Sequence, residues 1–191
     1  MNDILRMTIV LTVICAVSGL ALAGVHSMTK DPIEYQRIKF VQEPSVKAVL
    51  TDFDNDPIKD RFKVLAGKDK KGRDVFKTIF PAKKGGKILA LALDGSGKGF
   101  NGNIVVMVGI KPDGKLTGIS IMNHSETPGI GSRVEAPGFT GQFKGKPVSD
   151  PASVDGVSGA TYSTKGVFAA VEQAAKFFQK KKKDLLAKAG K

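Results

Sequence analysis

The N-terminus carries the longest apolar stretch of the chain. Residues 7–25 contain no charged side chain over nineteen positions. As a helix this stretch spans about 28 Å, close to the ~30 Å hydrocarbon core of a bilayer. The Ala21-Leu22-Ala23 sequence fits a signal-peptide cleavage site, but the apolar stretch is longer than that of a typical signal peptide. We predict a retained anchor helix over residues 1–25, with a cleaved signal peptide as the alternative.

Beyond the anchor, the apolar and polar positions follow the periods of several strands and one long helix. Runs rich in β-branched residues, bounded by Gly- and Pro-containing turns, predict four strands. These are residues 74–80, 87–93, 103–110 and 115–122. Apolar residues at helical spacing, from Val167 to Phe178, predict a helix over residues 165–189. The predicted fold class is α+β: a single N-terminal transmembrane helix, then an antiparallel sheet with flanking helices.

The net charge of +12 is concentrated at the C-terminus, where residues 176–191 carry seven Lys and one Asp. With only 7% aromatic residues and no basic stripe interleaved with stacking side chains, we expect no nucleic-acid partner. Residues 180–183 are predicted to form a solvated helix end, with an acidic partner or an anionic lipid surface as alternatives. The charges that flank the anchor do not support placing the C-terminal part outside the cell.

Metal and disulfide chemistry are not expected. The single Cys excludes an intramolecular disulfide framework, and two widely separated His make a multi-His metal centre improbable. Residues 95–102 are rich in Gly but lack the first Gly and the Ser/Thr of a phosphate-binding P-loop. We interpret this segment as a flexible turn whose glycines allow close approach of a neighbour.

Two further segments carry candidate chemistry. In the first, His124 and Glu126 are spaced for acid–base work, and the glycines up to Gly131 let backbone amides approach a ligand; a plain surface turn is the alternative. In the second, small residues and hydroxyls from Asp155 to Ser163 lead into the predicted helix. A helix N-terminus binds phosphate through its free N–H groups. A simple helix cap is the alternative for this second segment.

The second segment carries a resemblance to a known family. Asp155-x-x-Ser158-Gly159-Ala160-Thr161 resembles the flavinylation sequence of FMN-binding domains, in which the FMN phosphate is esterified to the final Thr. The Gly-Phe-Asn-Gly turn at 99–102, the hairpin and the segment 124–131 occur in the order of that family. With the anchor, the chain resembles the family of G subunits of Rnf ion-translocating electron transport complexes. This family is related to the C subunits of sodium-translocating NADH:quinone reductases.

The resemblance implies a cofactor and a set of site residues. FMN would be linked covalently to Thr161, and a separate flavin transferase would read the motif that includes Asp155. The loop from Glu126 to Gly131 would line the isoalloxazine ring, with the Glu126 and Thr127 side chains near its polar edge. No catalytic acid or base is expected, because the cofactor carries the redox chemistry. The implied cofactor-binding residues are Asp155, Ser158, Gly159, Ala160, Thr161, Glu126, Thr127, Pro128, Gly129 and Gly131.

The resemblance also implies a place in the cell. The chain would relay electrons within a ferredoxin:NAD oxidoreductase coupled to Na⁺ or H⁺ transport, as a single-pass protein of the bacterial cytoplasmic membrane with its soluble domain outside. Its partners would be the other subunits, the flavin transferase and the bilayer. The alternatives are a secreted or tethered flavin carrier and a binding module without redox function. The expected division is an anchor (1–25), a connecting and peripheral segment (26–80), an FMN-binding core (81–178) and a basic helix end (179–191).

Overall fold

The chain divides into two compact units, residues 1–40 and 41–191. A computed structural model describes residues 2–68, 72–150 and 153–190. The first unit consists of helix α1 (Asn2–Arg37), which runs beyond the predicted end at residue 25. Its large apolar side chains are exposed. Within the described ranges this is the one helix that is long and apolar enough to cross a membrane.

The second unit is built on a five-stranded antiparallel sheet in which neighbours in sequence are neighbours in space. The strands are β1 (Phe62–Lys68), β2 (Asp74–Lys84), β3 (Lys87–Lys98), β4 (Asn103–Ile110) and β5 (Leu116–Asn123). The predicted hairpin corresponds to β4 and β5, and the predicted α+β class is confirmed. Strand β2 is longer than expected, because Gly85 and Gly86, both with positive φ, turn the chain within two residues. Strand β3 continues to Lys98, because its last residues pair with β4.

Helices cover both faces of the sheet. The helices of the second unit are α2 (Glu43–Val49), α3 (Pro137–Thr140) and α4 (Thr161–Ala189), with 3₁₀ turns at Gly131–Glu135 and Gly141–Phe143. A π-helical turn, Ile38–Gln42, stands between α1 and α2 in the sequence. The predicted apolar stripe of α4, including Val167 and Phe178, is buried in the larger core on one face. Val46 and Val49 of α2 pack with Phe80 in a smaller core on the other face. Burial of each such side chain contributes about 1.5–3 kcal/mol.

The segment 26–80 differs from its expected peripheral role. Val46 and Leu50 are fully buried in the smaller core, and Val64 and Ile79 belong to the larger one. Residues 51–71 are dense in Asp and Lys, a composition that predicts a loop with little buried surface, but β1 lies within this stretch. The few apolar residues of the segment meet partners that are remote in sequence. Asn55 shows the same long-range contact, since its amide donates to the Pro81 carbonyl oxygen at 2.9 Å.

The glycine-rich segment 95–102 is strand for half its length. Gly95 and Gly97 lie in β3, where α4 crosses the sheet. A Cβ atom on Gly97 would lie 2.0 Å from the Gly166 carbonyl oxygen, and one on Gly95 would lie 2.0 Å from that of Ala170. The expected close approach is therefore present, but the expected flexible turn is restricted to residues 99–102. The glycines let the helix backbone rest directly on the strand.

The basic C-terminal helix end is not solvated throughout. Although Lys180, Lys182 and Lys183 are exposed, Leu185 is fully buried and belongs to the larger core. The run of lysines did not predict the burial of Leu185, because a helix packs against a core through one apolar face even when its other faces are charged. We expect Leu185→Ala to lower the free energy of unfolding by about 2 kcal/mol through the cavity it leaves. Urea unfolding is the measurement, with Lys182→Ala as a control that stays within about 0.5 kcal/mol.

Candidate functional site

Three segments that are remote in sequence enclose a cavity of about 230 Å³. They are the turn after β3, the loop after β5 and the first turn of α4. The walls are formed by Phe100, Glu126, Thr127, Ile130, Gly131 and residues 159–163. The cavity thus unites the two segments that the sequence marked as candidates, and it adds the β3–β4 turn between them.

Glu126 joins the three segments. Its side chain is buried, with 4% of the residue surface exposed. Oε1 accepts a hydrogen bond from the Asn101 backbone N–H at 3.0 Å, and Oε2 accepts one from the Phe100 N–H at 3.2 Å. The Ser163 hydroxyl of α4 also donates to Oε2. Both carboxylate oxygens thus accept hydrogen bonds from the chain itself. Glu126 is therefore a structural part of the cavity wall.

The carboxyl group of Glu126 is held in its ionised form. Burial opposes ionisation, but the hydrogen bonds from Ser163 and from the amides of Asn101 and Phe100 outweigh it, with a smaller contribution from His124. Together they hold the pKa of Glu126 below its ordinary value. The buried carboxylate therefore holds the β3–β4 turn and the first turn of α4 together through charge-assisted hydrogen bonds, an arrangement called the Glu126 clamp below.

Two glycines leave the space that Glu126 occupies. A Cβ on Gly99 would lie 2.5 Å from Glu126 Oε1, and one on Gly131 would lie 2.8 Å from Ser163 Oγ. Any larger residue at either position would displace the clamp. These glycines therefore serve close packing around the carboxylate, whereas Gly129 has a positive φ and donates its N–H to Ser132 Oγ.

His124 orients the loop instead of pairing with Glu126 for acid–base work. Its Nδ1 accepts a hydrogen bond from the Glu126 backbone N–H at 3.0 Å, and its Nε2 lies 3.0 Å from Glu135 Oε1. The ring therefore connects the backbone of this loop to Glu135. Among the described residues no cluster of three or more potential ligands could hold a metal ion.

Thr161 is the first residue of α4 and is exposed at the cavity. Within the described part of the chain no side chain caps this helix, so the simple-cap alternative is not observed for Thr161 or Ser163. The first α-helical hydrogen bond of this end runs from the Thr164 N–H to the Ala160 carbonyl oxygen at 2.9 Å. The preceding N–H groups of the first turn therefore lack helical partners, as at any helix start.

Side chains from the preceding helical turns hold the turn before α4 in place. Gly159 has φ +79°, a conformation that favours glycine. Arg133 Nη1 donates to the Ser158 carbonyl oxygen at 3.1 Å. The Gln142 amide holds the Asp155 backbone by accepting from its N–H at 2.9 Å. Asp155 and Ser158 line a neighbouring groove of about 330 Å³ and do not line the cavity.

The structure thus separates the candidate residues by location. Six of them line the cavity: Glu126, Thr127, Gly131, Gly159, Ala160 and Thr161. Pro128 and Gly129 shape the loop without being part of the wall. Sequence reasoning missed two exposed aromatic wall residues, Phe100 and Tyr162, whereas Ile130, also in the wall, lies within the loop 126–131 that it expected there. The sequence does contain a signal for both aromatic residues. Phe100 lies inside a Gly-rich turn and Tyr162 directly follows the proposed modification motif, and neither position is typical of a core residue.

The cavity has features that fit a flavin mononucleotide. Its lining includes apolar side chains suited to a flat aromatic ring and the start of a helix suited to a phosphate. Small residues at 158–160 leave room beside Thr161. The donor set is hydroxyls and backbone amides, which match the oxygens and nitrogens of such a cofactor.

Comparison with known proteins agrees with this geometry. A family model of the FMN-binding domain matches residues 99–176. The G subunit of the proton-translocating ferredoxin:NAD(+) oxidoreductase complex from Clostridium ljungdahlii is 32% identical over 92% of this chain and 94% of that protein. The G subunit of the Na(+)-translocating complex from Acetobacterium woodii is 26% identical over 92% of each protein.

A solved structure shares the fold. The crystal structure of NqrC from Shewanella oneidensis superposes with a TM-score of 0.53 at 28% identity, covering 70% of this chain and 75% of that one. The resemblance derived from the sequence motifs is confirmed by both the relatives and the fold. The chain belongs to the family of G subunits of Rnf-type ion-translocating oxidoreductase complexes.

Proposed function

We propose that this chain is an electron-relay subunit of a membrane-bound ferredoxin:NAD oxidoreductase, and that it carries FMN as a phosphoester of Thr161. The supporting observation is the position of the Thr161 side chain. It is exposed at the first residue of α4 and lines the cavity wall. Within the described residues its hydroxyl has no hydrogen-bond partner, so it is accessible to a modifying enzyme.

The surroundings of Thr161 suit a linked phosphate. The N-terminal end of α4 stabilises a nearby negative charge by about 0.3–2 kcal/mol. The exposed Lys165 adds a positive charge in the first turn. FMN supplies the electron-transfer chemistry when bound, so the chain's own task is to hold and orient it. A covalent link keeps the flavin at high effective concentration between electron transfers.

The remaining candidates have distinct proposed roles. Ser158, Gly159 and Ala160 form the compact turn that presents the Thr161 hydroxyl. Thr127 and Gly131 place their backbone beside the ring, and Thr127 Oγ1 accepts a hydrogen bond from Asn101 Nδ2 at 3.1 Å. Pro128 and Gly129 give the loop its shape.

We further propose that α1 anchors the chain in the cytoplasmic membrane with the second unit on the extracytoplasmic side. The exposed apolar side chains and the length of α1 support the anchor. The side is proposed from the family resemblance, since the flanking charges do not favour it. Partners would be the other subunits of the complex, a flavin transferase and the lipid bilayer. The relatives named above belong to a proton-translocating and a Na(+)-translocating complex, so either coupling ion fits.

Intact mass spectrometry of the chain, extracted from membranes of cells that contain a flavin transferase, tests this proposal. We expect the mass of the chain plus one FMN less one water, with the N-terminal helix retained. An unmodified mass under these conditions would contradict the phosphoester. A chain shortened at Ala23 would contradict the anchor and would favour a secreted flavin carrier.

Asp155 allows recognition by the transferase to be separated from folding. Gln142 holds the backbone of Asp155, and among the described residues the exposed carboxylate has no partner. We expect Asp155→Ala to reduce the flavinylated fraction in cells severalfold while the free energy of unfolding changes by less than about 0.5 kcal/mol. In-gel flavin fluorescence per amount of protein is the measurement. Asp150→Ala, another exposed carboxylate just before the motif, should be modified normally; equal losses in both variants would refute a specific role.

A further inference from the structure

Two exposed aromatic residues lie together at the cavity. Phe100 is 67% exposed and Tyr162 is 66% exposed. Their ring centroids are 6.0 Å apart, and their planes are inclined at 49°. Ile130, 56% exposed, is a third large apolar side chain in the same wall. Single exposed apolar residues are common, but three around one cavity form a patch that invites an apolar ligand.

The Phe100 side of this pair is held rigidly. The turn that carries Phe100 is closed by the Gly99 N–H, which donates to the Gly102 carbonyl oxygen at 2.7 Å. The N–H groups of Phe100 and Asn101 are bound by the Glu126 carboxylate. A turn with its donors satisfied in this way fixes the backbone position from which the Phe100 side chain extends.

The Tyr162 side is held by the same carboxylate. Tyr162 lies between Thr161 and Ser163 in the first turn of α4, and the Ser163 hydroxyl donates to Glu126 Oε2. The two aromatic residues therefore have a common anchor, although they are 62 positions apart in sequence. At 6.0 Å and 49° the rings contact each other without stacking face to face, so a face of each ring remains available to a third ring.

We infer that Phe100 and Tyr162 form the aromatic platform against which the isoalloxazine ring of the flavin rests. The inference builds on the proposed phosphoester at Thr161, because a flavin tethered there has its ring within reach of the neighbouring side chain. Dispersion and removal of apolar surface from water favour contact between flat rings. The assignment adds two ligand-contact residues, from the β3–β4 turn and from α4, to the loop 126–131.

The composition of the chain permits a direct optical test. The chain has no Trp and only two Tyr, Tyr35 and Tyr162. A phenol in contact with a flavin quenches flavin fluorescence, because it gives an electron to the excited ring and then takes it back. Phenylalanine cannot do so. In the purified full chain we expect Tyr162→Phe to raise the flavin fluorescence severalfold, and Tyr35→Phe in α1 to leave it unchanged.

A second pair of variants tests Phe100. We expect Phe100→Ala to lower the visible circular dichroism of the bound flavin and to shorten its fluorescence anisotropy decay, since the ring loses one of its supports. Phe76→Ala is the matched control, because Phe76 is a similarly exposed Phe in β2 that does not line the cavity. This control should leave both signals unchanged.

Attachment is read separately, from flavin fluorescence of the denatured chain on a gel. Normal gel fluorescence in Tyr162→Phe and Phe100→Ala, together with native signals identical to the wild type, would overturn the platform. If those variants instead weakened binding to other subunits with the flavin signals unchanged, the pair would be a protein-docking surface, which also overturns the inference. Absence of gel fluorescence in the wild-type chain would refute the phosphoester, and the platform with it.

Discussion

Replacing Thr161 with Ala should yield a folded chain that carries no covalent flavin. Alanine offers no oxygen to the phosphoester, and the Thr161 side chain is exposed at the first residue of α4. Loss of an exposed side chain without hydrogen bonds should change the free energy of unfolding by less than about 0.5 kcal/mol. The measurements are in-gel fluorescence after denaturation, flavin absorbance of the native protein and urea unfolding.

Two variants define the specificity of this result. Thr161→Ser retains a hydroxyl and should still be modified. Thr127→Ala removes the other threonine hydroxyl of the cavity wall and should retain the covalent flavin. A fluorescent gel band of normal intensity in Thr161→Ala would show that the attachment site lies elsewhere.

Replacing Glu126 with Ala should lower the free energy of unfolding by about 3 kcal/mol. The substitution leaves the N–H groups of Phe100 and Asn101 and the Ser163 hydroxyl without their acceptor. Each donor left unsatisfied costs about 1–3 kcal/mol, less where water enters. Glu126→Gln keeps one acceptor oxygen but adds a competing donor, so a loss of about 1–2 kcal/mol is expected.

The dependence of stability on pH identifies the ionised form of Glu126. Its pKa in the folded chain lies below its ordinary value of 4.5. The carboxylate therefore adds stability that is fully present above that value and is lost as the pH falls through the lower folded-state pKa. Glu126→Gln has no such group, and its stability should fall less steeply below about pH 5. Urea unfolding at several pH values gives the comparison.

Glu135→Gln is the matched control for this measurement. Glu135 is an exposed carboxylate of the same loop region that meets His124. Because about half of the Glu135 side chain is open to water, its pair with His124 contributes at most about 1 kcal/mol, so this variant should keep the acid dependence of the wild type. An acid dependence of Glu126→Gln that matches the wild type would show that Glu126 is not the ionised clamp.

The sequence alone determined the elements whose signals are local. The β4–β5 hairpin follows from Pro112-Asp113-Gly114 between β-branched runs. The buried stripe of α4 follows from apolar spacing, and the candidate attachment residue follows from a contiguous motif that ends at Thr161. Each of these features is encoded within about 25 neighbouring residues, where turn geometry and helical periodicity act directly.

Only the tertiary structure decided how these elements cooperate. The resemblance implies that the Glu126 side chain lies near the polar edge of the ring, and only the structure shows that its oxygens bind the β3–β4 turn and α4. Gly97 pairs with β4 and leaves room for the backbone of a helix 69 positions further along, and Leu185 is buried despite its basic neighbours. These outcomes depend on contacts between remote residues. Residue type and spacing cannot specify such contacts until the sheet has placed β3, the loop after β5 and α4 side by side.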